Sequence, residues 1–394
     1  MKKTSVILLL IQLSTIACSR ATNDRTVQGP VCPDAWPEEV KAYNYAIGTQ
    51  TIGPSYGFTQ ESRLVETARQ ILSMGSNIMK TTLSLEQGFT YCHEMLEKNP
   101  DYRTIMGMDF RYYFFWVYSS ADTAWRDGFS DAEKEIEYDN MYRLADYLLK
   151  TFVGTGKEFF LGHWEGDWHL TEMDGNLQTV DPDRIKGMID WYKTRQKAID
   201  DAEEANPGSD VKVWHYCEVN RVLDAIDRGY DRIVNKVLPY TGVDYVSYSS
   251  YDAIGGDSYE TLSSTLHRAL DAIEAALVPK DCISGKRVFI GEYGFSNKSV
   301  GQGEQDARSR MVMKASLEWG CPFVLYWEMY NNEVDDSGQQ VGFWLINDSG
   351  VRQTVYYTHV NFYDKMKCWV YKYIQQHGDW PSREEFNSEA CKIL

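Results

Sequence analysis

No stretch of this 394-residue chain approaches the roughly 20 consecutive apolar residues that a membrane-crossing helix needs. The phosphate-cradling patterns GxGxxG and GxxxxGK[ST] are missing after the first strand-like run, which removes the usual signature of a nucleotide site. No CxxC or Cys/His spacing suggests zinc. Internal repeats and low-complexity tracts are absent as well. Basic residues are in deficit: 40 Lys and Arg face 57 Asp and Glu, for a formal net charge of -17. That balance argues against a nucleic-acid surface and an anionic membrane partner, and against a strongly acidic polymer as ligand without a local basic patch. What remains is a globular composition, 43% hydrophobic and 25% charged, with a surplus of 12 Trp and 27 Tyr beyond ordinary core use.

The N-terminus reads as a targeting segment. Lys2 and Lys3 precede a short apolar run from Val6 to Leu13, and small residues follow around Ala17 and Cys18. This predicts a signal peptide over 1–18, a tether over 19–40, a catalytic domain over 41–378 and a C-terminal appendage over 379–394. Ile16-Ala17-Cys18 resembles a lipoprotein cleavage site, with Thr15 where Leu is usual. Lipid anchoring at Cys18 and plain secretion both stay open. Either way the protein is expected to be exported, to a periplasmic, cell-surface or extracellular place, with any membrane association made only through Cys18. Seven further cysteines are Cys32, Cys92, Cys217, Cys282, Cys321, Cys368 and Cys391. An odd count leaves at least one thiol free. Cys217, inside an apolar strand, is the expected free and buried one, and proximity suggests Cys282–Cys321 and Cys368–Cys391 as pairs.

From about residue 43, apolar strand-like runs alternate with segments of helical period. The runs are 43–49, 77–83, 104–110, 158–163, 212–216, 245–249, 287–291 and 322–327, and the third could extend into the β-prone Tyr112–Tyr118. Met141, Leu144, Ala145, Leu148 and Leu149 recur at helical spacing, as do Leu262, Leu266, Leu270 and Ile273. Gly75, Gly156 and Gly320 stand where preceding helices could end. Eight strand–helix units in one domain predict an α/β fold, the (β/α)8 TIM barrel. An open doubly wound sheet is the alternative.

Two segments carry chemistry: FFLGHWEGDW with Glu165, and VFIGEYGFS with Glu292. A carboxylate at the mouth of a buried strand is costly unless something there uses it. Glu165 would end the fourth strand and Glu292 the seventh, on facing sides of the barrel mouth where active sites of this fold are built. Two such carboxyls are what cleavage of a glycosidic bond requires, one donating a proton and the other attacking or activating water. Neither metal nor nucleotide cofactor is implied. The Trp164 and Trp168 aromatic wall would raise Glu165, Asp167 would orient substrate or repel charge, and His215 and Asn220 would lie near bound hydroxyls. Glu218, after the fifth strand, is a rival acid/base or a substrate-binding and pKa-tuning residue, and Glu328 is a weaker competitor. The ordinary structural reading makes His163 and His215 hydrogen-bonded structural residues, Lys80 a solvated cation, Asp109 and Arg111 an ion pair, and Tyr112 to Trp116 an apolar barrel segment.

The sequence IGEYG around Glu292 resembles the nucleophile strand of the large clan of retaining glycoside hydrolases with (β/α)8 barrels, and VLYWE resembles its eighth strand. The resemblance implies Glu292 as nucleophile and Glu165 as acid/base. It also implies Trp327 as floor of the subsite for the cleaved sugar, and Tyr248 or Tyr251 as hydrogen-bond donor to the nucleophile. It implies a β-linked polysaccharide or oligosaccharide as substrate. The clan has Asn directly before its acid/base, where this chain has Trp164. That departure keeps a catalytically silent carbohydrate-binding surface protein open beside the glycosidase, and a transglycosylase would use the same residues.

Overall fold

In the computed structural model, the described residues are 32–394 apart from 34 and 122. The expected leader, Cys18 and residues 19–31 of the tether lie outside them. Eight strands close into a ring: β1 (Ile47–Thr51), β2 (Ile78–Ser84), β3 (Tyr112–Tyr118), β4 (Glu158–Gly162), β5 (Lys212–Val219), β6 (Tyr245–Ser249), β7 (Val288–Tyr293) and β8 (Val324–Tyr326). Every neighbouring pair is parallel, and β1 pairs with both β2 and β8. Parallel neighbours need long crossovers, and helices supply them on the outside. The longest are Asp131–Thr151, Pro182–Ala205, Tyr259–Ala276, Gln302–Trp319 and Thr354–His377. Met141, Leu144, Leu148 and Leu149 bury the inner stripe of the first of these against the barrel, as their spacing predicts. The domain is a single (β/α)8 barrel.

One expected strand is instead the end of a helix and the turn that follows it. Residues 104–110 were read as the third strand, but Asn99 caps a helix over Pro100–Met106, accepting from the Asp101 amide at 2.9 Å, with Pro100 in the first turn. An Asn-Pro start favours a helix because the side chain satisfies an orphan amide and proline fixes φ. The strand is the following aromatic run, Tyr112–Tyr118. Asp109 and Arg111 therefore precede β3 at the closed end of the barrel. They form no ion pair among the described residues, and Arg111 Nη1 donates instead to the Thr155 carbonyl at 3.0 Å. Gly75 and Gly320 end helices in the left-handed conformation. Gly156 does not, because its helix has already ended at Thr151 and its amide donates to Asp210.

Successive strand residues alternate between the lumen and the helix layer. Ile78, Phe114, Phe160, Tyr216, Phe289 and Phe323 meet inside the barrel, where the Phe114 and Phe160 rings stack at 4.3 Å. This aromatic plug fills the lower lumen, so polar side chains on the same strand faces are displaced upward to the mouth. In the outer layer, Arg195 and Glu137 form a fully buried ion pair at 2.7 Å, and Arg195 also donates to the Val117 carbonyl at 2.7 Å. This ties the Asp131–Thr151 and Pro182–Ala205 helices to the top of β3.

The disulfide differs from the expected pairs: Cys32 is bonded to Cys368, with Cα atoms 5.4 Å apart. Cys282 is exposed and Cys321 fully buried, so they do not meet, and the Cys391 thiol lies near the Lys314 carbonyl. Cys217 is free and buried, as expected. Residues 379–394 include a helix, Arg383–Ile393, whose Phe386 joins the main core beside Tyr43 and Tyr45.

Candidate active site

A cleft of about 570 Å3 opens at the C-terminal mouth of the barrel. Its walls are aromatic, with Trp116, Tyr118, Trp164, Tyr251, Trp327 and Phe343 lining it, and Glu165 and Glu292 reach it from β4 and β7. Three of the expected residues, Trp164, Tyr251 and Trp327, therefore share one cavity with both glutamates.

Glu292 reaches the lumen through an irregularity. Val288 and Ile290 face the helix layer, so strict alternation would send Glu292 outward too. Between Ile290 and Tyr293 the register slips, and Ser249 of β6 pairs with Glu292 instead of Gly291. The extra residue turns both Gly291 and Glu292 inward, as a bulge does. A side chain at 291 has no room: a Cβ there would stand 1.7 Å from the Ser247 hydroxyl.

Beneath the cleft floor lies a polar layer that rests on the aromatic plug. Lys80, on the lumen face of β2 with Ile78, is fully buried and lies 3.0 Å from Glu218 Oε2 and 3.6 Å from Glu292 Oε1. It also donates to the Gly291 carbonyl and sits 4.3 Å from the Trp116 ring centroid. The expectation of a solvated Lys80 is thus corrected, since lumen parity places it inside. Glu218 accepts four hydrogen bonds: Lys80, Ser247 at 2.7 Å and Trp116 at 3.3 Å on Oε2, and the Glu165 amide at 3.0 Å on Oε1. Fully buried and with both oxygens engaged, Glu218 supports the site from below.

Burial raises Glu165 to about 7, with the Glu218 charge adding to the rise while Ser249, Lys80 and the Trp168 indole oppose it. Burial also pushes Glu292 well up, against the pull of Lys80 and with the push of Glu165 and Glu218. The Ser249 hydroxyl is close enough to lower both carboxyls, yet it makes no hydrogen bond of good geometry. Both glutamates line the one cleft. Tyr251 lines the cleft with Glu165, Glu292 and Glu333, and its phenol is raised by desolvation and by the charges of Glu292, Glu165, Glu333 and Glu328.

No protein-family model matches the sequence, and neither does any curated protein. Solved structures do match. A GH5_18 variant from Streptomyces cattleya in complex with Manβ1-4GlcNAc has a TM-score of 0.57 at 11% identity, covering 88% of this chain and 96% of that one. A GH5_18 from Bifidobacterium longum subsp. infantis gives 0.54 at 12% identity, covering 81% and 78%. A family 39 glycoside hydrolase from Bacteroides cellulosilyticus gives 0.51 at 13% identity, and the chain spans 64% of its length. The barrel is one that glycoside hydrolases share. At these identities the likeness concerns the fold alone.

Other expected site residues lie off the cleft. Asp167 is buried, and its carboxylate accepts from the amides of Asn220, Arg221 and Ile233 at 2.9, 3.2 and 2.7 Å, pinning the segments after β5 to the turn after β4. It fastens loops and has no oxygen left for substrate. His215 and Tyr248 occupy outward positions of β5 and β6. His215 packs near Tyr192, and the Tyr248 hydroxyl donates to Asp252. Only Tyr251 remains of the two tyrosines. Trp168 turns its ring toward a neighbouring pocket, with the Arg221 guanidinium 4.7 Å from its centroid. Asn220 lies against the acid, its amide 3.4 Å from Glu165 Oε2. Glu328 accepts from the Ile52 amide at 3.0 Å beneath the floor, and burial pushes its pKa well up. His163 is held between the Tyr192 hydroxyl and the Trp164 carbonyl. Sequence reasoning missed Trp116 and Tyr118, although alternation from Phe114 places both in the lumen. It also missed Asn332, Glu333 and Phe343, which lie in an irregular loop after β8 that has no periodicity to read.

Proposed function

We propose that the protein is a glycoside hydrolase acting on a β-linked oligosaccharide or polysaccharide, with Glu165 as acid/base and Glu292 as nucleophile. The observation that carries this reading is the pair of buried carboxyls brought by β4 and β7 to one aromatic-walled cleft. Coupled carboxyls in low dielectric do not both ionise, so near neutral pH the pair shares one proton. The Lys80 ammonium at 3.6 Å favours the charge on Glu292, while Glu165 forms no ion pair among the described residues. Burial raises both carboxyls, and the proposal places the shared proton on Glu165, the one without an ion pair, whose value of about 7 suits a general acid at that pH.

The chemistry follows from that division. Glu165 protonates the leaving glycosidic oxygen as Glu292 attacks the anomeric carbon, giving a glycosyl–enzyme ester. Glu165, now a carboxylate, takes a proton from water, which attacks the anomeric carbon and releases Glu292. Trp327, its indole fixed by a 2.9 Å bond to Glu333, offers a flat apolar face for the sugar. That the similar GH5_18 structure holds Manβ1-4GlcNAc supports a β-linked substrate.

The test is turnover of a panel of β-glycans by wild type, Glu165→Gln and Glu292→Gln, with the product anomer followed by NMR. Each variant is expected to lose roughly 10³-fold in kcat, and the first product to keep the β configuration. Equal product from all three would remove the catalytic assignment. Binding without turnover by wild type would favour the silent carbohydrate-binding protein, and lengthened oligosaccharides would identify a transglycosylase. We further infer export, supported by the Cys32–Cys368 disulfide, which fits an oxidising compartment. Fractionation of the native host tests it.

A further inference from the structure

The two-carboxylate chemistry makes no use of the charge of a third cleft carboxylate. Glu333, in the loop after β8, lines the same cavity as Glu165 and Glu292, and among the described residues no Lys, Arg or His lines it. Lys80 lies beneath the floor, engaged by Glu218 and Glu292. The place of Glu333 is fixed. Its Oε1 accepts from the Trp327 indole at 2.9 Å, and its backbone carbonyl accepts from the Asn331 amide side chain and the Val341 amide at 2.5 and 3.0 Å. Its second carboxylate oxygen receives no hydrogen bond from the described residues, and the residue is exposed at the cleft rim. A held anion beside a cavity with no cation on its walls sets up a field of one sign, which solvent and salt screen because the residue is exposed.

We propose that Glu333 selects the substrate by charge, admitting neutral sugars, gaining affinity from an amine-bearing sugar and rejecting a carboxylated or sulfated one. The proposal rests on the glycosidase reading only in taking the cleft as the sugar site. An ammonium placed near the free oxygen gains a charge-assisted hydrogen bond, and a uronate meets repulsion with no compensating cation.

The test compares Glu165→Gln with the Glu165→Gln/Glu333→Gln double variant. Gln at 165 mimics the protonated acid and prevents turnover, and Gln at 333 keeps the acceptor for the Trp327 indole while removing the charge. Calorimetry reads the Kd of β-1,4-linked oligomers of glucose, glucosamine and glucuronic acid at low ionic strength. Loss of the Glu333 charge is expected to weaken glucosamine-oligomer binding about fivefold and tighten glucuronate-oligomer binding about as much. The glucose oligomer should stay within about twofold, and salt should flatten all three differences. A shift of all three ligands in one direction would mean that Glu333 only shapes Trp327, and the proposal falls. It falls equally if no ligand responds or if none of the three binds. Turnover of the bound oligomers by wild type is a separate reading: ligands bound with the predicted charge order but never cut would end the hydrolase assignment and leave charge selection standing.

Discussion

Lys80 sets how the carboxyls at the barrel mouth divide charge. It lowers both Glu165 and Glu292, and it is the ion-pair partner of Glu218 and Glu292. Lys80→Met removes that pull, so both glutamates hold their protons to higher pH. For a hydrolase of the proposed kind, the alkaline limb of kcat/KM, expected near pH 7 in wild type because Glu165 must be protonated, moves up. The acid limb moves up too, because Glu292 must be ionised. A pH–rate profile checks both shifts, and activity near neutral pH should drop roughly 10²-fold. Removing one partner of a buried ion pair also strands the other charge, at a cost of about 3–5 kcal/mol. Adding Glu218→Gln should recover part of that stability in urea unfolding and, because the Glu218 charge raises both glutamates, bring both limbs part of the way back. A lysine between Ile78 and Thr82 on an apolar strand was a legible sign of this role, since parity alone turns it inward. That Glu218 and Glu292 wait for it there was not legible, because those contacts join residues 138 and more positions apart.

At the scale of the element, β7 decides whether the site exists. Strict alternation would bury Glu292 among the helices, and the bulge at Gly291 brings it to the lumen. Gly291→Ala places a methyl 1.7 Å from the Ser247 hydroxyl and 3.2 Å from Glu218 Oε2. Overpacking of this kind costs about 1–3 kcal/mol, so the urea midpoint should fall, and kcat should fall further than stability alone explains because Glu292 is displaced. A variant with wild-type midpoint and activity would contradict the account of the bulge. Elsewhere the strands obey the period they show in sequence: Glu218 and Ser247 point in, His215 and Tyr248 point out. The latter two were expected at the site for their nearness to strand ends, where parity was the better guide. The third strand was misplaced for a related reason. The apolar residues at 105, 106, 108 and 110 fit a strand by composition, but the Asn99 cap and Pro100 had already committed the chain to a helix.

For the whole molecule, closure of the ring and its one disulfide among the described residues set the boundary conditions. Cys32–Cys368 joins positions 336 residues apart, tying the segment that leads into the barrel to the last barrel helix. Cys368→Ser is expected to cost about 2–5 kcal/mol, read as a lower Tm that matches wild type treated with reductant. An unchanged Tm in both would show that the bond fastens only the local terminus. The pairing was not legible because proximity in sequence says little once helices separate neighbours, whereas a barrel brings its first and last elements together. The amino-acid sequence by itself determined the alternation of strands and helices, the acidic net charge, the aromatic surplus and the two strand-end glutamates, because periodicity and composition are local properties. Only the tertiary structure decided which carboxyls share a cavity, that Glu218 lies beneath it and Glu333 beside it, and that Glu292 faces inward at all. Those outcomes depend on register, a bulge and side-chain contacts between strands far apart in the chain, which no local pattern encodes.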